Sequence, residues 1–139
     1  MFRATQEIYN ALRQDEDLKV FVEEDSDSSH VWLQFGLDAG GSYRIRFISR
    51  DNDNDVAVRV FGLTKVPEQQ RTKVILALNE LNSKYRFLKF VCDADGDVNV
   101  EYDYLMRDVN PAASAHELVF RIVKILDNSY PVIMRAMWS

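Results

Sequence analysis

Val31-Trp32-Leu33-Gln34-Phe35-Gly36-Leu37, Tyr43-Arg44-Ile45-Arg46-Phe47 and Val56-Ala57-Val58-Arg59-Val60-Phe61 decide the fold. In each run a large apolar residue recurs at every second position. Strict alternation places these residues on one face of an extended strand and their neighbours on the other. The runs are joined by Gly40-Gly41 and by Asp51-Asn52-Asp53-Asn54-Asp55, both turn-forming compositions. Short links between alternating runs predict an antiparallel meander with one buried face.

Outward from this centre the pattern changes to helical spacing. Residues 4–14 carry Ile8, Ala11 and Leu12 at helical intervals, with Thr5 as a candidate cap. Leu18-Lys19-Val20-Phe21-Val22 is a further short candidate strand, and residues 23–29 read as an acidic, Ser-rich loop. Pro67 suits the first position of a helix running to about Tyr85, with Val74, Leu78, Leu81 and Tyr85 on one stripe. Residues 86–92 and 97–105 flank Asp93-Ala94-Asp95-Gly96, a strong hairpin signal. A last helix begins near Pro111 or Ser114, where Ser114-Ala115-His116-Glu117 has the capping-box form. It presents Val119, Ile122, Leu126, Tyr130, Ile133 and Met137 on one side, and Pro131 predicts a kink or a second helix. The expected class is α+β: an antiparallel five-stranded sheet packed by helices in the order α-β-β-β-α-β-β-α, one domain over residues 1–139.

Composition narrows the function. The chain has 139 residues, 47% of them hydrophobic and 28% charged, a globular balance. A net charge of −5 disfavours nucleic acid as partner. A single cysteine excludes an internal disulfide and fits a reducing compartment. No apolar stretch is long enough to span a membrane and no leader pattern opens the chain, so a cytoplasmic protein without membrane association is expected.

Catalytic and metal motifs fail on inspection. Asp51, Asp53 and Asp55 have the spacing that opens a calcium loop, but Val56 stands where its Gly belongs and Gly62 where its Glu belongs. Asp93, Asp95 and Asp97 read as turn chemistry. His30 and His116 lack a second His or Cys at ligand spacing. Cys92 adjoins Asp93, whose charge opposes thiolate formation. Phosphate-loop, dinucleotide, serine-hydrolase and zinc-protease patterns are missing. No catalytic residue, metal or cofactor is therefore expected, and the chain reads as a non-enzyme.

Two surfaces stand out. Arg44, Arg46 and Arg59 share the outward parity of the meander with Trp32 and Phe61, a set suited to protein recognition or to capture of a small anion. Glu101 and Asp103 face the same way, so the bland reading is a solvated face with cross-strand charge pairs. Ile75 and Leu76, with Val132, Met134 and Trp138, lie off the main helical stripes and are candidates for a homodimer interface or for extra core.

The second half resembles a known family. Val66-Pro67-Glu68 before a helix, Leu78-Asn79-Glu80-Leu81-Asn82 near its end, Lys89 to Val98 with Glu101-Tyr102, and Asp127-Asn128-Ser129-Tyr130-Pro131 in a long helix are similar, in order and spacing, to the YbjN family of small bacterial domains. The resemblance covers roughly residues 31–135. It implies a fold like that of type III secretion chaperones, which dimerise and bind extended segments of partner proteins. It also implies a sensory transduction regulator with no established enzymatic activity, and it supplies no catalytic residues. The combined expectation is a chaperone-like or regulatory protein-binding homodimer; the alternative is a small-molecule or anion sensor using the Arg-bearing face.

Overall fold

The computed structural model describes residues 1–51, 55–105 and 110–139. The elements are α1 (Arg3–Leu12), β1 (Phe21–Glu24), β2 (Ser29–Gly36), β3 (Ser42–Ser49), β4 (Asp55–Lys65), α2 (Arg71–Lys84), β5 (Lys89–Cys92), β6 (Asp97–Leu105) and α3 (Pro111–Trp138). The strands form one antiparallel sheet in the order β1-β2-β3-β4-β6-β5. The α+β class and the succession of elements agree with the sequence, but the sheet has six strands where five were expected. The additional strand is β1, which takes in Phe21, Val22 and two residues assigned to the acidic loop. All four of its side chains are exposed, so burial imposes no alternation on its sequence.

The alternating residues do face a common core. Val31 and Leu33 of β2, Tyr43, Ile45 and Phe47 of β3, Val56, Val58 and Val60 of β4, and Val98, Val100 and Tyr104 of β6 are buried together. Over them lie Ile8 and Leu12 of α1, Val74, Leu78 and Leu81 of α2, and a row on α3 that includes Val119, Ile122, Leu126, Ile133 and Met137. α3 packs against both other helices, so it is the middle of the helical layer. Each fully buried aliphatic or aromatic side chain contributes about 1.5–3 kcal/mol relative to exposure.

Three local expectations change for identifiable reasons. Thr5 is not a cap: it is buried, donates to the Phe2 carbonyl (3.0 Å) and lies 2.6 Å from the Ser29 hydroxyl, tying α1 to the start of β2. Pro67 precedes a 3-10 turn, Glu68–Gln70, and the α-helix begins only at Arg71. Val66 donates its N–H to Gly96 (2.8 Å), which holds the chain extended until Pro67. The cap of α3 is Asn110, whose Oδ1 accepts from Ala112 N–H (3.0 Å) and Ala113 N–H (3.3 Å), with Pro111 in the first turn; Ser114 lies inside the helix. That helix continues through Pro131 as one element, and Ile133 and Met137 beyond it are fully buried.

β5 begins at Lys89, later than the expected residue 86. Its outer edge is met by α2: Asn82 Nδ2 donates to the Phe90 carbonyl (3.0 Å), and Phe90 N–H donates to Asn82 Oδ1 (2.6 Å). In the β5–β6 turn, Asp93 Oδ1 accepts from the N–H groups of Asp95 (2.9 Å) and Asp97 (3.0 Å), and Oδ2 from Asn99 (3.1 Å). Burial opposes ionisation of this carboxyl, but the hydrogen bonds from Asp97, Asn99 and Asp95 outweigh it and lower its pKa. The carboxylate thus organises the turn, as its composition suggested. Asp53 of the other acidic loop lies outside the described residues.

Gly96 completes that turn at φ +89°, a conformation that side chains disfavour. A Cβ there would stand 2.7 Å from the Val66 carbonyl oxygen and 2.8 Å from an Arg71 guanidinium nitrogen. Gly96→Ala is therefore expected to lower stability by more than about 1 kcal/mol, read as a fall in the urea midpoint; an unchanged midpoint would show that the turn relaxes freely.

A candidate binding face on the open side of the sheet

The helices bury their apolar stripes against one face of the sheet, which leaves the described residues of the opposite face without a helix over them. On that face Phe21, Trp32, Arg46, Arg59, Glu101 and Lys89 stand in register, one from each strand from β1 across to β5. The row begins aromatic, turns cationic and ends in opposite charges.

Trp32 is its densest point. The Phe21 ring stacks on it at 4.3 Å and 18°. The Arg44 guanidinium carbon lies 4.0 Å from the indole and that of Arg46 lies 5.6 Å from it, both within cation–π range. The cations differ in their other commitments. Arg46 donates to Glu23 (3.1 Å). Arg59 makes two bonds to the Asp103 carboxylate, at 2.6 and 3.3 Å, and a third to its neighbour's carbonyl at Val58 (2.9 Å). Arg44 is exposed and has no carboxylate partner among the described residues; its Nε donates to the Gln34 side chain at 3.3 Å. The charge-pair reading of this face therefore holds for Arg46, for Arg59 and for Lys89 with Glu101 (3.5 Å), and fails for Arg44.

The sheet splits beside Arg44. Pairing between β3 and β4 runs from Ile48–Ala57 to Arg46–Arg59 and stops. Beyond that point β4 shifts register against β6 between Val60 and Thr64, with Gly62 at φ +61° and its N–H donated to Asn99 Oδ1 (2.8 Å). A bulge of this kind bends its strand. The fork encloses a cleft of about 550 Å³ lined by Gln34, Ser42, Arg44, Arg46, Phe61 and Gly62, with Tyr43 at its base. A second cleft, of about 360 Å³, continues past Phe21 and Trp32. Phe61 is 56% exposed at the fork.

Of the expected binding residues, Arg44, Arg46 and Phe61 thus meet in one cleft, Trp32 adjoins them, and Arg59 is held away by Asp103. Sequence reasoning missed Phe21 and Gln34. Their signal was faint: Phe21 lies in a strand without alternation, and Gln34 is one polar residue among many. Ile75 and Leu76 are exposed on α2, 51% and 64%, and Trp138 is exposed at the end of α3, whereas Val132 and Met134 pack partly against the core. The Cys92 thiol is pushed up by burial, opposed by Arg71 and reinforced by Asp93 and Asp97, which disfavours the nucleophilic thiolate. His116 lies 2.8 Å from Asp15, an ion pair when protonated.

His30 reports on the same face. Its Nδ1 is 3.4 Å from Arg46 and its Nε2 3.1 Å from the Ser28 hydroxyl. Burial and then Arg46 lower its pKa below 6.5, with Glu23 and Asp25 opposing and Arg50 adding. A base whose folded pKa is lowered stabilises the fold while neutral and loses that contribution as pH falls through the folded value. The Cε1–H resonance of His30 should titrate below pH 6.5, and Arg46→Ala should move its midpoint upward; a midpoint indifferent to Arg46 would contradict this arrangement.

No curated protein and no solved structure matches the chain. A family model does, over residues 6–129, and its description is "Putative bacterial sensory transduction regulator". That match takes in most of α1 and the whole sheet with its open face, and the chain belongs to the YbjN family.

Proposed function

We propose that this chain is a non-enzymatic regulatory module that works as a homodimer by binding an extended, acidic segment of a partner protein on the open face of its sheet. The observation that carries this reading is the fork between β3 and β4. It sets Arg44, a cation with no carboxylate partner among the described residues, between the exposed ring of Phe61 and the Phe21–Trp32 stack. Aromatic and Arg anchors dominate the energetics of protein interfaces, and a cation held only by an amide and a ring favours a carboxylate on the ligand. Family membership supports a regulatory capacity. A chaperone-like mode, in which the module holds an unfolded stretch of its partner, is the version that the resemblance to secretion chaperones implies. The proposed dimer contact is the surface of α2 around the exposed side chains of Ile75 and Leu76.

The same cleft gives the alternative its footing, because Arg44 and Arg46 together would also hold a free carboxylate or phosphate. Melting temperatures measured with a panel of small anions separate the two: a shift that Arg44→Glu abolishes favours the sensor.

The principal test is affinity purification with the tagged protein and its variants, partners being identified by mass spectrometry. A partner should remain with the wild type and with Leu76→Glu, and be depleted at least about tenfold in Trp32→Ala and Arg44→Glu, a loss of about 1.4 kcal/mol. Circular dichroism establishes that the variants fold. Sedimentation should show a dimer that Leu76→Glu dissociates. No specific partner, or one retained equally by Arg44→Glu, overturns the binding face; a wild-type monomer overturns the dimer alone.

A further inference from the structure

A second cavity lies on the helical side, remote from the open face. It occupies about 200 Å³ between β6, the α2–β5 connection and the first turns of α3. An apolar cavity of roughly 150 Å³ already admits benzene, so the space suits a compact organic molecule. Phe87, Tyr102, Tyr104 and Leu118 supply its apolar lining, and Glu117 and Arg121 its polar groups.

The aromatic geometry is particular. Phe87 meets Tyr102 edge to face, at 6.4 Å and 78°, and Tyr102 and Tyr104 tilt toward each other at 5.9 Å and 32°. Near-perpendicular rings make a corner, and the electron-rich faces of aromatic rings attract cations. The corner already holds one: the Arg121 guanidinium carbon lies 5.1 Å from the centre of the Phe87 ring. Glu117 binds that guanidinium through a single oxygen, Oε1, at 2.8 and 3.1 Å. Among the described residues no hydrogen bond or ion pair engages its Oε2. Burial, and then Tyr102, raise the Tyr104 pKa, so that phenol stays uncharged.

We propose that this corner binds a free, compact organic cation of the methylated-ammonium class, seated against Phe87, Tyr102 and Tyr104 with Glu117 as its counter-charge. Such a group is greasy enough to leave water readily and cannot be satisfied by hydrogen bonds, so ring faces and one carboxylate are its natural surroundings. The resident guanidinium is its competitor, held at the exposed rim where both Glu117 and Arg121 can swing into solvent. The inference is independent of the partner-binding reading, since it shares none of the residues of the fork.

The probe is choline, titrated into the folded protein at millimolar concentration while the ring resonances of Phe87 and Tyr102 are followed by NMR. Its uncharged isostere, 3,3-dimethylbutan-1-ol, is titrated in parallel. Choline should shift these resonances and the isostere should bind several-fold more weakly. Phe87→Ala and Glu117→Gln, both changes at exposed side chains, should weaken choline by about tenfold. Arg121→Gln should tighten it. Absence of any response to choline overturns the proposal, as does equal binding of the isostere, which would mark the corner as a plain apolar pocket. Binding to phosphatidylcholine vesicles without binding of free choline also overturns it, in favour of a membrane surface.

Discussion

Burial of one face of the β2–β3–β4–β6 sheet against α3 is the constraint on which the rest depends. Phe47, Val56 and Ile45 on the sheet and Ile122, Leu126 and Ile133 on the helix are sealed from solvent together. Because side chains alternate along a strand, burying one set commits the other set to the opposite side. The outward position of Trp32, Arg44, Arg46, Arg59 and Phe61 is therefore a consequence of packing that none of them takes part in. The candidate face is the remainder of the core.

That dependence explains what the sequence could reveal. The meander and the three helices were legible because burial writes a period into the chain: two in β2, β3 and β4, and near four in α3. β1 was legible only in part, as the candidate run Leu18–Val22, since nothing of it is buried and burial writes no period into it. The start of α2 was misplaced, and of the two starts offered for α3 only Pro111 holds, for a related reason. Ser114 and Pro67 carry the right local chemistry, but a longer-range bond from Val66 to Gly96 and a better placed Asn110 decide where the turns begin.

The candidate face was legible as a set of residues and illegible as a site. Parity alone put Arg44, Arg46 and Arg59 on one side, but parity is blind to partners. Which arginine is spent on Asp103, which on Glu23 and which is left with Gln34 depends on register and on the bulge at Gly62. The bulge left a trace in the sequence, a glycine interrupting an alternating run, and its effect is the separation of two strands that alternation alone would keep together. The aromatic corner near Phe87 left still less, because its members come from three separate elements.

The contact between Asn82 and Phe90 bears on how the sheet ends. An amide side chain can present an N–H and a carbonyl oxygen with the spacing of a peptide group, so Asn82 imitates a fragment of the neighbouring chain that β5 would otherwise invite. The two margins of the sheet are thereby made unequal. One is stoppered by the protein's own helix; the other, β1, is short and exposed, with Glu23 paired to Arg46 and Glu24 to the N-terminal ammonium. Growth of the sheet by recruitment of a foreign strand, whether as recognition or as aggregation, is polarised: it has one direction in which to proceed, and that direction leads past Phe21.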